Sequence, residues 1–262
     1  MVESFLEAAL EASRIILSVR KTGPEVELKA DCSPVTEADR RAETLILDRL
    51  AAHHPSIPVV AEEAVAAGCV PDISGGRFIL VDPLDGTREF IDGRADFTVN
   101  IALIENGVPI AGVVVAPAKG LAYLGENGHA EKLTIGGDCS IATREPIRAR
   151  PAVAPPVAVA SRSHGNAETD AYLVAAGVTE YCAVGSSLKF CLVAEARADI
   201  YPRFSPTMEW DTAAGDAILR AAGGRTLGLD GEALRYGKRD QAPERAFGNP
   251  SFIAHGAPPI QE

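Results

Sequence analysis

Acidic residues in this chain of 262 residues gather at the ends of apolar runs rather than along helix faces. Glu62 and Glu63 follow PVVA, Asp82 follows FILV, and Asp85 stands three residues further on, directly before Gly86 and Thr87. A strand end delivers its side chain to the rim of a sheet, where loops assemble sites. Carboxylates that meet there raise one another's pKa and stay ionised only beside a cation. Oxygen ligands without histidine or cysteine select Mg2+, or Mn2+, over zinc. Pro83 stiffens the turn between Asp82 and Asp85, and Leu84 offers a backbone carbonyl as a further ligand. Gly86 lets the main chain approach closely. The amides around Gly86 and Thr87 point at an anion if a helix or nest starts there, and the Thr87 hydroxyl is suited to orienting an attacking water.

Each feature also has an ordinary explanation. Asp-Gly is a common turn pair, and Glu62-Glu63 alone reads as a solvated strand end. Asp39 sits three residues after Thr36 in TEAD, the pattern of a capping box. Asp211 opens a helix and suits an N-cap. His53, His54 and His164 read as surface or structural rather than as ligands. DPLDGT approaches the D-x-D-G-T nucleophile loop of haloacid-dehalogenase phosphatases, but is one residue longer, which would misplace the second carboxylate. Only the combination favours a metal site.

These positions need a scaffold. Val2, Phe5, Leu6, Ala9, Ile16 and Leu17 recur at helical spacing with glutamates between them, so the chain opens on an amphipathic helix. A break at Gly23-Pro24 leads through ELKADCSPVTEAD to a second helix with Ala42, Leu45, Ile46 and Leu50 on one face, ending at His53, His54 and Pro55. The runs IPVVAEE and RFILVD read as strands, the first ending in its two acids and the second stopping at PLDGT. Runs at 97–104 and 108–115 flank Glu105-Asn106-Gly107, a hairpin signal. A proline-rich stretch at 146–156 marks the boundary between subdomains of about 1–145 and 146–262. Beyond it come the strand VAVAS, helices near 167–176 and 186–196, and a strand at 199–202. A helix over 211–222, closed by Gly223-Gly224, and an apolar run at 247–254 complete the chain. Hairpins interleaved with long helices favour an α/β fold of the layered α+β sandwich type over a purely doubly wound sheet.

Composition sets the partners. Lys plus Arg is 25 and Asp plus Glu is 36, a net charge of −11 that repels nucleic acid and anionic lipid. An anionic substrate then needs a local reversal of sign, which a carboxylate cluster holding two divalent ions supplies. No apolar run approaches the roughly 18–20 residues of a membrane span. Glu3, Glu7 and Glu11 stand where a signal peptide would need positive charge, so this segment is expected to belong to the folded protein. The five cysteines are scattered without a CxxC pair, against structural zinc or a disulfide framework and in favour of a reducing cytoplasm. Peripheral attachment to the inner membrane is left open.

Together, Glu62-Glu63, VDPLDGTREF at 81–90 and WDTAAGDA at 210–217 resemble three signatures of the inositol monophosphatase superfamily, Mg2+-dependent and Li+-sensitive phosphatases. KADCSPVTEAD, FTVNIALIENGVP, ASRSH and GSSLKFCLVAEARADIYPR are similar, more narrowly, to its 3'(2'),5'-bisphosphate nucleotidase branch, and the likeness spans 29–224. The resemblance implies alternating α-β-α-β-α layers, as in fructose-1,6-bisphosphatase. It implies one Mg2+ on Glu62, Asp82 and the Leu84 carbonyl, and a second on Asp82, Asp85 and Asp211; a third, weaker ion would involve Asp39, and Mn2+ could substitute. Thr87, hydrogen-bonded to Asp39, would position the water, with Glu62 and Asp85 as the other catalytic groups. Asp85, Gly86, Thr87 and Asp211 would contact the substrate. Lys189 and Arg203 would take a second phosphate, unless Lys189 is a solvated helix residue and Arg203 a surface strand end. Ser161, His164 and Ser186 would line the nucleotide pocket.

Arg88-Glu89 follows the nucleotidase pattern. Asp216 departs from it, standing where the branch often carries histidine, which touches base or ribose recognition. The expected reaction is removal of the 3'-phosphate of adenosine 3',5'-bisphosphate by direct attack of water, recycling a by-product of sulfate assimilation. The alternatives are an inositol 1-phosphate or sugar monophosphatase and, from another class, a non-catalytic protein that binds nucleotide bisphosphate. A homodimer is compatible with the sequence, which does not fix the oligomeric state.

Overall fold

A computed structural model describes residues 1–29, 34–161, 165–179, 181–239 and 246–258. The first helix, α1 (Val2–Thr22), buries Val2, Phe5, Leu6, Ala9 and Ile16, the stripe expected from their spacing. A short ribbon of β1 (Val26–Leu28) and β2 (Pro34–Thr36) leads into α2 (Glu37–His53), whose Ala42, Ile46 and Leu50 are buried. Then come β3 (Val59–Ala61), the short helix α3 (Glu62–Ala66), β4 (Arg77–Asp85) and the short helix α4 (Thr87–Ile91). A meander follows: β5 (Thr98–Glu105), β6 (Val108–Ala116), β7 (Leu121–Glu126), β8 (His129–Ile135) and β9 (Ile141–Ile147). Asn106 and Gly107 both have positive φ, as the tight turn between β5 and β6 demands.

Strands β3 to β9 form one seven-stranded sheet in sequence order, antiparallel except for β3 beside β4. The remaining elements are β10 (Ala158–Ser161), α5 (Ala167–Ala175), β11 (Tyr181–Val184), α6 (Leu188–Ala194), β12 (Ile200–Arg203), α7 (Glu209–Ala221), β13 (Arg225–Gly228) and β14 (Phe252–His255). They contribute a second sheet of five strands in the order β11-β10-β12-β14-β13.

Alternation along the strands divides the interior. In β4, Ile79 and Val81 face α1 and α2, whereas Phe78 and Leu80 join the core around α6 and α7. That second core continues onto Tyr201, Phe252 and Ala254 of the smaller sheet. On the far side of that sheet, Ala158, Ala160 and Ile200 pack with Leu173 of α5. The layers are therefore α1/α2, large sheet, α6/α7, small sheet, α5: the α-β-α-β-α order.

Two local expectations need correction. RFILVD does not stop at PLDGT; β4 continues through Pro83 and Leu84 to Asp85. Glu62 and Glu63 are not a strand end but the first turn of α3. Among the described residues no helix is long and apolar enough to cross a membrane. Cys69, Cys139, Cys182 and Cys191 are free.

Candidate active site

The centre of the site is an irregularity in β4. Asp82 pairs with Asn100 and Asp85 with Thr98, so three steps along β4 match two along β5 and one residue is extra, a bulge. The Leu84 N–H donates to Asp82 Oδ1 at 2.9 Å, closing the bulge on the aspartate itself. Gly86 follows with φ 92°, and a Cβ there would sit 3.0 Å from the Asp96 carbonyl oxygen. This left-handed step turns the chain into α4, so Thr87 is the first residue of a helix.

Asp39 answers both readings of its motif. Its Oδ2 accepts from the Thr36 N–H at 2.8 Å and the Thr36 hydroxyl at 2.7 Å, and Thr36 Oγ1 accepts from the Ala38 N–H, a true capping box for α2. Its Oδ1 lies 3.1 Å from Thr87 Oγ1, which is also 3.1 Å from the Leu84 carbonyl oxygen. The cap thus fixes the carboxylate that faces Thr87.

Glu62, Asp82, Leu84, Asp85, Thr87 and Asp211 line one pocket. Burial pushes the Asp82 carboxyl well above the usual range, and the charges of Glu62, Asp85 and Asp211 add to it. Burial also raises Glu62, Asp85 and Asp211; Asp85 is the largest charge acting on Asp211. Asp211 is not the N-cap of α7 but its third residue, and its Oδ2 accepts from the Met208 N–H at 2.8 Å. Lys29 Nζ stands 2.6 Å from both Glu62 Oε1 and Glu63 Oε1. Burial works against the ammonium, but the two glutamates outweigh it and raise its pKa.

Among the described residues no three acidic, histidine or cysteine side chains close on one point as a ready ligand set. Glu62 Oε1 is turned to Lys29, Asp211 Oδ2 to Met208, and Asp82 Oδ1 to Leu84. The pocket nevertheless suits a hard divalent cation. Its donors are all oxygen, and burial pushes every one of these carboxylates toward protonation, with neighbouring carboxylates adding to the rise.

Two buried cations line the same pocket. Lys189 is 4% exposed and Arg203 7%, so neither is a solvated surface residue. Lys189 Nζ donates to the Ser186 carbonyl at 2.5 Å and stands 5.3 Å from the Tyr201 ring centre. Burial brings its pKa down to about 8. Arg203 donates to the carbonyls of Ser205 at 3.0 Å and Pro206 at 2.8 Å. Ser186, with φ 54°, has a buried Oγ without a protein partner, and Ser161 also lines the pocket. Arg88 is exposed at its edge. His164 lies outside the described residues.

Asp216 is no part of this lining. It is fully buried, and its carboxylate accepts from Arg220 and from the Tyr236 hydroxyl at 3.0 Å. His54 is also remote, 2.7 Å from Ser4 Oγ and edge-on to Phe5.

Three residues of the site lie inside the motifs quoted above but carry no role there. Lys29 opens KADCSPVTEAD, and its pairing with Glu62 is set by tertiary structure. Asn100, buried in β5, donates to Ser187 Oγ at 3.0 Å, and lies 3.4 Å from Asp85 Oδ2. Ser187 Oγ in turn donates to the Asp211 carbonyl at 2.5 Å. A polar Asn inside the apolar run FTVNIALI was the available signal.

The chain resembles known proteins along nearly its whole length. The sequence profile described as "Inositol monophosphatase family" matches residues 1–258. A protein named 3'(2'),5'-bisphosphate nucleotidase CysQ from Escherichia coli O6:H1 is 45% identical over 254 residues, covering 96% of this chain and 98% of that one. Its namesake from Buchnera aphidicola is 37% identical over 256 residues, covering 97% of this chain and 93% of that one. Among solved structures, CysQ from Bacteroides thetaiotaomicron superposes with a TM-score of 0.79 at 39% identity, covering 97% of this chain and 96% of that one. The chain belongs to the inositol monophosphatase family, whose members are metal-dependent phosphatases.

Proposed function

We propose that this chain is a Mg2+-dependent 3'(2'),5'-bisphosphate nucleotidase that hydrolyses adenosine 3',5'-bisphosphate to AMP and phosphate. The observation that carries this reading is that one pocket is lined both by the carboxylates Glu62, Asp82, Asp85 and Asp211 and by two buried cations, Lys189 and Arg203. A monophosphate needs only the carboxylate group of residues. A substrate with two phosphates gives Lys189 and Arg203 a reason to be cationic at the cost of burial. The identity to relatives that bear the nucleotidase name supports the same substrate class.

Glu62, Asp82, Asp85, Asp211 and the Leu84 carbonyl would hold the divalent ions. Bound there, Mg2+ polarises the phosphoryl group and offsets charge on the attacking and leaving oxygens. The chain's own groups set the geometry. Asp39 accepts a hydrogen bond from the Thr87 hydroxyl, which leaves a Thr87 lone pair free to accept a hydrogen bond from water and aim its oxygen at phosphorus. Attack forms the new P–O bond in line as the bond to the ribose oxygen breaks; the attacking water gives up one proton and the leaving ribose oxygen takes one up, leaving AMP and phosphate. Lys189, Arg203 and Ser186 hold the remote phosphate and ribose, with Ser161 beside them. The halves of about 1–145 and 146–262 divide the work: the first supplies most of the metal and water site, the second supplies Asp211 and the two buried cations.

Phosphate release from adenosine 3',5'-bisphosphate and from inositol 1-phosphate, at equal concentration with Mg2+, tests the reading. The nucleotide is expected to give the higher kcat/KM. A higher value on inositol 1-phosphate would transfer the chain to the monophosphatases, and binding of nucleotide without phosphate release would make it a binding protein.

A further inference from the structure

Helix α3 is five residues long, yet it carries Glu62 at its first position and so sets where that carboxylate enters the pocket. No local side chain caps its N-terminus. Ala61, which precedes it, has no side chain to accept its first amides, and none of its residues is fully buried. So short a helix does not stand alone in water, and its leading N–H groups need acceptors. Those acceptors come from another element. Glu43 of α2 is 6% exposed; its Oε2 accepts from the Glu63 N–H at 2.8 Å and its Oε1 from the Ala64 N–H at 2.9 Å. Burial pushes the Glu43 carboxyl up to about 7, with both amides opposing that rise. A carboxylate buried at such cost needs a structural return. Glu43 also stands one turn after Asp39 on the buried face of α2, so a single helix face touches both Thr87 and α3.

We propose that Glu43 is a positioning residue for the metal site: its two bonds to the Glu63 and Ala64 amides fix α3 and thereby aim the Glu62 carboxylate at the cation. This rests on the reading of the pocket as a metal-dependent phosphatase site. Glu43 touches neither substrate nor cation and acts only through the backbone of α3. It therefore governs how tightly the metal is held more than how fast the loaded enzyme turns over.

The test is Mg2+ titration of substrate-free protein by calorimetry or by the fluorescence of Trp210, the residue before Asp211, with the Mg2+ dependence of phosphate release measured in parallel. Wild type, Glu43→Ala, Glu43→Gln and Leu133→Ala are compared. Leu133 is fully buried in β8, so its truncation reports general loss of stability. Glu43→Ala is expected to raise the Mg2+ dissociation constant by about 10–100-fold, the range for groups that orient a ligand, with kcat at saturating Mg2+ changed by less than about threefold. Glu43→Gln, whose amide oxygen serves one of the two N–H groups, falls between, and Leu133→Ala binds Mg2+ as wild type does. If Glu43→Ala does not fold, Glu43→Gln carries the test at nearly unchanged shape. Wild-type affinity in the Glu43 variants, or an equal loss in Leu133→Ala, would overturn the proposal while leaving the function intact. A wild-type protein that neither binds Mg2+ or Mn2+ nor releases phosphate would overturn both.

Discussion

Asp82 is the residue with the most to lose from its surroundings: buried, with three other carboxylates acting on it and one backbone amide in its favour. Asp82→Asn is therefore expected to separate stability from activity. Removing that charge relieves repulsion, so the variant should melt higher than wild type in chelator. It should also bind Mg2+ poorly and lose several powers of ten in kcat, each about 1.36 kcal/mol of transition-state stabilisation. Thermal melts in chelator and phosphate release with Mg2+ check the two halves. Thr87→Val, nearly the same shape without the hydroxyl, should lower kcat by roughly 10²–10⁴-fold, and Thr87→Ser should restore most of it. Lys189 gives a pH signature. Its pKa is brought down to about 8 by burial, so the ammonium is present below pH 8 and lost above it. KM for the bisphosphate is expected to rise as pH passes about 8 in wild type. Lys189→Met should show a raised KM with no such bend, and an identical bend in that variant would exclude Lys189 as its source.

At the level of elements, β6 and β7 decide where α7 lies. A Cβ on Gly112 of β6 would fall 2.5 Å from the Ala214 carbonyl oxygen, and one on Gly125 of β7 would fall 2.7 Å from Ile218 Cα. The sheet is bare at both positions so that α7 can rest on it, and α7 carries Asp211. Gly112→Ala is expected to cost about 1–3 kcal/mol by overpacking and to weaken Mg2+ binding by displacing α7; denaturant unfolding and calorimetry measure the two effects. Neither close approach is visible as a pattern. Helices α1 and α2 were legible because glutamates and apolar residues alternate at helical spacing, and the β5–β6 turn because Asn-Gly admits positive φ. Strand β9, IATREPI, was not: six of its seven residues are exposed and the last half-buried, so no alternation marks it. Asp39, Asp85 and Asp211 were legible as acids near element ends, and Asp82 as the acid after the apolar run FILV, although β4 runs on past it to Asp85. Glu43 was not, because a charged residue inside a helix ordinarily faces solvent, and only its tertiary contact with α3 distinguishes it. Asp216 stood out in the sequence only as a departure from the histidine often found in the nucleotidase branch; its role is structural, since Arg220 and Tyr236 hold it in the core.

Across the whole molecule, the proposed ligands come from different layers. Asp82 and Asp85 lie in the large sheet, Glu62 in α3 at its edge, and Asp211 in α7 between the two sheets. An ion held by all of them ties together elements that unfolding would separate, and the unfolded chain offers no equivalent site. Mg2+ at 100 times its dissociation constant should then stabilise the fold by about 2.7 kcal/mol per site. At roughly 2–4 °C per kcal/mol for a chain of this size, the melting temperature should rise by roughly 5–10 °C for one site and fall back on chelation. A net charge of −11 creates a competing explanation, since any salt screens self-repulsion and steadies an acidic protein. Na+ at matched ionic strength separates the two: it should reproduce little of the rise, and Asp82→Asn should abolish the Mg2+-specific part while keeping the Na+ response. Equal rises with Na+ and Mg2+ in wild type would mean that the ions act on the surface at large, and the cleft between the sheets would lose its claim to be a metal site.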